Sequence, residues 1–190
     1  MSRLFGKPVH QCYVYPDFDL ALARFAAAGM GPFFVMGEET SGMSIFRGEE
    51  HHLRIKIGFV YTGDTCFEII TPIGEQKSTY GEFLERNPTG GLHHIAYYSD
   101  DFDKTLAMLA DEGTPFTIVQ DLREPGSDWS IEIYCEPDGI DNPVLYQFLR
   151  PGLFDGWFDA MREAAANWDG RDPIRDARPL MAAALAEAPR

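Results

Sequence analysis

The sequence predicts an α+β protein made of two copies of one β-α-β-β-β module, followed by a helical extension. The first supporting observation is an internal repeat. Shifting the chain by 84 positions lays His10–Gly29 over His94–Gly113 with nine identities in twenty, among them His10/His94, Tyr13/Tyr97, Asp17-Phe18-Asp19/Asp101-Phe102-Asp103, Leu22/Leu106 and Gly29/Gly113. Composition alone would give roughly one or two such identities. The second is a repeated ending, a polar residue, an apolar pair, any residue and proline, in Glu68-Ile69-Ile70-Thr71-Pro72 and Gln147-Phe148-Leu149-Arg150-Pro151. The third is a change after Pro151, where strand-like alternation gives way to aromatic residues at helical spacing.

Taken in order, Val9–Tyr15 is rich in β-formers and stops at Pro16-Asp17, which predicts a strand followed by a helix capped by Asp17. Leu20, Leu22, Phe25 and Ala26 give that helix an apolar stripe, and Gly29 ends it. Short strands are expected at Phe33–Met36 and Met43–Phe46 around a polar turn that includes Glu38 and Glu39. Leu53–Tyr61 and Thr65–Thr71 flank Thr62-Gly63-Asp64, a hairpin signal. Ser78–Arg86 reads as a connecting helix closed by Asn87-Pro88-Thr89-Gly90-Gly91.

The second module then repeats the plan: a strand at His93–Tyr98, a helix over Asp101–Glu112, and strands near Phe116–Val119, Ser130–Tyr134 and Pro143–Leu149. The domain is expected over 1–151, with modules at 8–75 and 91–151, and 152–190 forms a C-terminal helix and tail. In the tail, Phe154, Trp157, Phe158, Met161, Ala165 and Trp168 share one helical face, a stripe expected to pack against the body or a second subunit. An extended arm over Asp169–Pro179 and an Ala-rich helix over Leu180–Ala188 complete the expectation.

At 190 residues and 45% hydrophobic composition, the chain can fill one ordinary core. A formal charge of −14 repels nucleic-acid backbones and anionic membrane surfaces, and there is no basic cluster to offset it. Cys12, Cys66 and Cys135 are odd in number and widely spaced, which suits reduced thiols. With no apolar leader and no membrane-length run, a cytoplasmic protein acting on a small molecule is expected.

Strand alternation places Cys12 on the face of His10, Tyr98 on the face of His94, and Cys66 on the face of Glu68. If the half-sheets curve together, His10, Glu68, His94 and Gln147 converge among apolar neighbours. Two imidazoles, a carboxylate and a carboxamide are a donor set for a divalent cation. A lone strand histidine is usually just hydrogen-bonded, but equivalent positions in two repeats strengthen the metal reading. Cys12, Cys66 and Tyr98 are the expected pocket neighbours of the quartet, and His93 is expected to face outward.

These motifs, His10-Gln-Cys-Tyr-Val-Tyr-Pro-Asp-Phe-Asp, Phe67-Glu68-Ile-Ile-Thr-Pro, Gly91-Leu-His-His94-Ile-Ala and Val144-Leu-Tyr-Gln147-Phe, resemble the vicinal oxygen chelate superfamily (glyoxalase/bleomycin-resistance/dioxygenase-like), and within it the methylmalonyl-CoA epimerase and glyoxalase-like branch. The resemblance covers about residues 8–151. It implies paired modules forming a cupped mixed sheet, four strands each supplying one ligand (His10, Glu68, His94 and Gln147), and a homodimer. The bound ion would be Co, Mn, Ni, Zn or Fe. Epimerases of this branch usually carry Gln at the Glu68 position and Glu at the Gln147 position, so carboxylate and carboxamide are exchanged between the modules here.

The implied activity is that of a metal-dependent isomerase, epimerase or lyase that abstracts a proton α to a carbonyl and passes through a metal-stabilised enediolate. The exchange leaves the catalytic base unassigned. Ile57 and Phe59 on the neighbouring strand are inert, Lys56 would enter only if the hairpin slipped by one residue, and His52, Tyr61 and Tyr98 are further candidates. A ring-cleaving iron dioxygenase and a metal-free binding protein are the alternatives.

Overall fold

A computed structural model describes residues 4–37, 40–75 and 77–187. The expected turn residues Glu38 and Glu39, the extreme N-terminus and the end of the Ala-rich helix at Ala188 lie outside the described residues.

In the first module, β1 (Gln11–Val14) leads into α1 (Phe18–Ala27). The Asp17 carboxylate caps α1 by accepting from the Leu20 amide at 3.0 Å. Then come β2 (Phe33–Val35), β3 (Thr40–Phe46), the long β4 (Glu49–Thr62) and β5 (Thr65–Pro72). α2 (Thr79–Arg86), capped by the Ser78 hydroxyl, joins the halves. The second module follows with β6 (Gly91–Tyr98), α3 (Phe102–Asp111), β7 (Phe116–Arg123), β8 (Ser130–Pro137) and β9 (Leu145–Leu149). Asp101 caps α3 as Asp17 caps α1, so the repeat extends to the capping bond.

The strands join in one mixed sheet. Starting from β4, hydrogen-bonded neighbours run β3, β7, β8, β9, β6, β1 and β5, and β5 pairs with β4 again. Eight strands therefore close on themselves into a cup, with the modules meeting along β1–β6 and β3–β7, both antiparallel. Gly90 sits where the linker crosses Val14 and Tyr15. Its φ is +78°, and a Cβ there would lie 2.4 Å from the Val14 carbonyl oxygen, so only glycine fits.

The inner face of the cup carries Leu53, Ile55, Ile57 and Phe59 from β4, a period-two run set by strand alternation. The C-terminal extension closes over this face. α4 (Asp155–Ala166) buries Trp157, Phe158 and Met161 against the cup, and removing those three side chains from water contributes roughly 5–8 kcal/mol. The expected extended arm contains a short strand, β10 (Ile174–Asp176), which pairs in parallel with β2 and extends the sheet to ten strands. α5 (Arg178–Glu187) packs on α4. No described helix is long and apolar enough to cross a membrane.

Candidate active site

Three adjacent strands, β5, β1 and β6, set the site. Cys12 on β1 is in register with both Glu68 on β5 and His94 on β6, so those side chains project to one side of the sheet, and His10 joins them from just before β1. His10 Nε2 lies 3.3 Å from His94 Nε2 and 3.4 Å from Glu68 Oε2, and His94 Nε2 lies 3.3 Å from Glu68 Oε2. All three residues are buried.

Ligand bonds of ~2.1 Å place neighbouring donors roughly 3.0–3.4 Å apart in octahedral or tetrahedral geometry. The triangle has those edges. Without an ion it is poorly satisfied, since Glu68 Oε2 and His10 Nδ1 make no hydrogen bond. Burial pushes the Glu68 carboxyl up, but its electrostatic attraction to His10, and then to His94, 3.3–3.4 Å away, outweighs it and holds it well below the usual carboxylate range. Burial pushes His94 down, with Glu68 opposing. An ionised carboxylate and a neutral imidazole are the protonation states a cation requires.

Gln147 on β9 is the fourth expected ligand. Its Nε2 donates to the Tyr134 hydroxyl at 2.7 Å, which leaves the buried Oε1 without a partner. An amide binds a cation through that oxygen. His10, Glu68 and Gln147 all line the cavity described below. The residues therefore fit a divalent ion.

His93 corrects one expectation. A register shift in the β1–β6 ladder between Cys12 and Tyr13 places His93 on the same side of β6 as His94, beneath α2, where it is 2% exposed and lies between Tyr80 and Phe83. Its Nδ1 is 2.8 Å from His94 Nδ1. That separation is a hydrogen bond, and it requires one ring to donate to the other. If His94 keeps Nε2 free for a cation, its Nδ1 carries the proton and His93 accepts.

The expected pocket neighbours are placed differently. Cys12 is fully buried beside Glu68, Cys66 is buried beside Tyr61, and Tyr98 is partly exposed, with Asp155 beside it. None of the three lines the cavity. Of the considered bases, Lys56 faces α1 and pairs with Asp19 at 3.4 Å, His52 is exposed on the outer face, and Tyr61 is buried next to Cys66. Strand parity explains this: odd-numbered Leu53–Phe59 point inward, so His52 and Lys56 point out.

The cavity also contains a carboxylate that the sequence reading missed. On β8, Tyr134 pairs with Gln147 just as Phe59 on β4 pairs with Glu68, so Glu132 occupies the second module's counterpart of Ile57. Applying the same register argument to Ile131-Glu132-Ile133-Tyr134 would have found it. Tyr134 donates to Glu132 Oε1 at 3.1 Å and accepts from Gln147. With that proton committed, the Tyr80 hydroxyl, 2.7 Å away, donates to Tyr134. Burial, then the charge of Glu68, push the Glu132 carboxyl up to about 7, with the Tyr134 hydrogen bond opposing. Burial also raises the Tyr80 and Tyr134 hydroxyls well above the ordinary phenol range, so both stay protonated.

The Glyoxalase/Bleomycin resistance protein/Dioxygenase superfamily profile matches residues 9–132, more than half of the chain. The chain belongs to this superfamily. Among curated proteins, the chain is 29% identical over 110 residues to an ethylmalonyl-CoA/methylmalonyl-CoA epimerase of Cereibacter sphaeroides, spanning 58% of this chain and 73% of that one. It is 28% identical over 87 residues to a mitochondrial methylmalonyl-CoA epimerase of Dictyostelium discoideum, covering 46% and 51% respectively. The crystal structure of methylmalonyl-CoA epimerase from Mycobacterium tuberculosis matches the fold with a TM-score of 0.53 at 17% identity, over 80% of this chain and 92% of that one. A methylmalonyl-CoA epimerase in complex with methylmalonyl-CoA and NH4+ matches with a TM-score of 0.51 at 22% identity, over 78% and 96%. The glyoxalase-like cupped fold is thus shared with epimerases, and these relatives support an enzyme of the isomerase class.

Proposed function

We propose that this superfamily member is a divalent-metal-dependent isomerase, epimerase or lyase that moves a proton α to a carbonyl, with Glu132 as the base. The observation that carries the reading is the buried His10–Glu68–His94 triangle in the same cup as a carboxylate pushed up to about 7. A divalent ion held by His10, Glu68, His94 and Gln147 would supply positive charge to polarise the carbonyl and acidify the adjacent C–H.

The chain's own residues supply the rest. Glu132 Oε1 is oriented by the Tyr134 hydroxyl, which is itself fed by Tyr80 and held by Gln147. In its ionised form Glu132 can take the α proton, and the carboxylic acid so formed can return it. Tyr80 and Tyr134 remain hydrogen-bond donors throughout, so they can stabilise negative charge on Glu132 without losing a proton.

The test is elemental analysis of anaerobically purified protein together with exchange of α protons in deuterated buffer. The expected results are one divalent ion per chain, loss of that ion in His94→Ala, and exchange that falls about 100-fold or more in Glu132→Gln. A fully occupied site in His94→Ala would refute the ligand assignment. Two histidines and one carboxylate are also the donor set of non-haem iron oxygenases. Oxygen consumption with catechols in the iron-loaded protein would favour that second reading.

A further inference from the structure

We propose that the cup accepts a compact carbonyl compound with an aromatic or branched hydrocarbon body, and rejects the nucleotide thioesters named for its epimerase relatives. The inference rests on the proton-transfer reading above, which places the carbonyl at the His10–Glu68–Gln147 end of the cavity.

The first argument is size. The cavity, partly open to solvent, has a volume of about 260 Å³, just below the roughly 300–1,000 Å³ of pockets that bury drug-sized ligands. Its limit is set by the C-terminal extension, which lies outside the repeated modules. The Trp157 ring meets Phe59 edge-on at 4.9 Å, Phe158 meets Phe59 at 5.6 Å, and Trp157 and Phe158 stack at 5.4 Å. Phe158 also reaches His10 at 6.0 Å, so the aromatic roof extends to the ligand triangle. Met161, behind the rings, is fully buried and packs the roof in place.

The second argument is the chemistry of the walls. Beyond the polar end, the lining comes from Leu53, Ile55 and Ile57 on one side and Phe154, Trp157 and Phe158 on the other. Such walls reward a hydrocarbon body and offer nothing to a polar chain. The indole N–H of Trp157 is buried without a partner, so the roof also holds one unused donor.

The third argument is charge at the rim. A nucleotide thioester brings phosphates that need cations. Among the described lining residues Arg123 is the one Lys or Arg, and it is already bound by Asp121 at 2.8 Å and Asp128 at 3.4 Å. The adjoining hollow adds Glu50 and Glu124 beside Asp128. Arg150, just after β9, lies over Phe102 at 4.2 Å and donates to the Asp100 and Ser130 carbonyls. On a chain of net charge −14, this rim repels a polyanion.

The experiment is calorimetric titration of zinc-loaded protein with 2-hydroxyacetophenone and, separately, with methylmalonyl-CoA, with zinc content measured on the same samples. The expected result is at least tenfold tighter binding of the ketone, and a narrower ratio in Trp157→Ala, where the roof is opened. Equal or tighter binding of the thioester, or no binding of the ketone, overturns the proposal. The wild-type ratio decides even if Trp157→Ala does not fold. Zinc-loaded protein that prefers the thioester sinks this inference and leaves the metal reading intact. Protein that prefers the ketone but holds no zinc does the reverse.

Discussion

Glu132 should impose a measurable pH dependence on the stability of the metal-free protein. Burial and the nearby Glu68 charge raise its pKa from the 4.5 of an exposed glutamate to about 7. The folded state therefore holds this proton more tightly than the unfolded state. Below about pH 4.5 the group is protonated in both states and costs nothing. Between 4.5 and 7 the unfolded chain ionises while the folded one does not, so stability falls as pH rises. Above 7 both are ionised and the penalty levels off at about 3 kcal/mol, from a difference of roughly 2.5 pKa units.

A glutamine in place of Glu132 cannot ionise, yet it keeps an oxygen to accept from Tyr134, so Glu132→Gln removes the penalty with little change in packing. Urea unfolding of both proteins in the presence of a chelator, at steps from pH 5 to 8, isolates the group by difference. The variant should gain about 2.5 kcal/mol relative to wild type across that range. With a divalent ion bound, the added positive charge favours the Glu132 carboxylate and the gain should shrink. A difference that stays flat with pH in the metal-free proteins would refute both the burial of this carboxyl and its suitability as a base near neutrality.

Two further outcomes test the fold around the site. Gly90→Ala would force a Cβ to within 2.4 Å of the Val14 carbonyl oxygen at a φ of +78°, and should cost roughly 2 kcal/mol or more, read as a drop of several degrees in Tm. Cys12, Cys66 and Cys135 are buried, and burial raises all three thiols, Cys135 to about 12. Iodoacetamide at pH 8 should therefore modify none of them until the protein is unfolded, with mass spectrometry as the readout.

Much of the fold is legible because its signals are local. The capping aspartates, the Thr62-Gly63-Asp64 turn and the alternation along β4 each act within a few residues, and each appears where the sequence places it. β10 escapes sequence reasoning because three residues in a proline-containing arm carry no periodicity, and β2 supplies the edge that makes them a strand. His93 defies the expectation because a register shift beside it breaks the strict alternation on which that expectation rests, turning it inward beside His94 and beneath α2.

By itself, the sequence determined the repeat and, through it, the pairing of His10 with His94 and of Glu68 with Gln147, because duplication and strand alternation are properties of the chain. Only the tertiary structure decided how those side chains meet. The 3.3–3.4 Å triangle joins three residues distant in sequence. The raised pKa of Glu132 comes from burial and from the charge of Glu68 on another strand, and the size of the cup is set by rings from a C-terminal helix folded back over β4. Electrostatics and packing depend on distance through space, and the order of residues along a chain carries that distance only within one strand or one turn of helix.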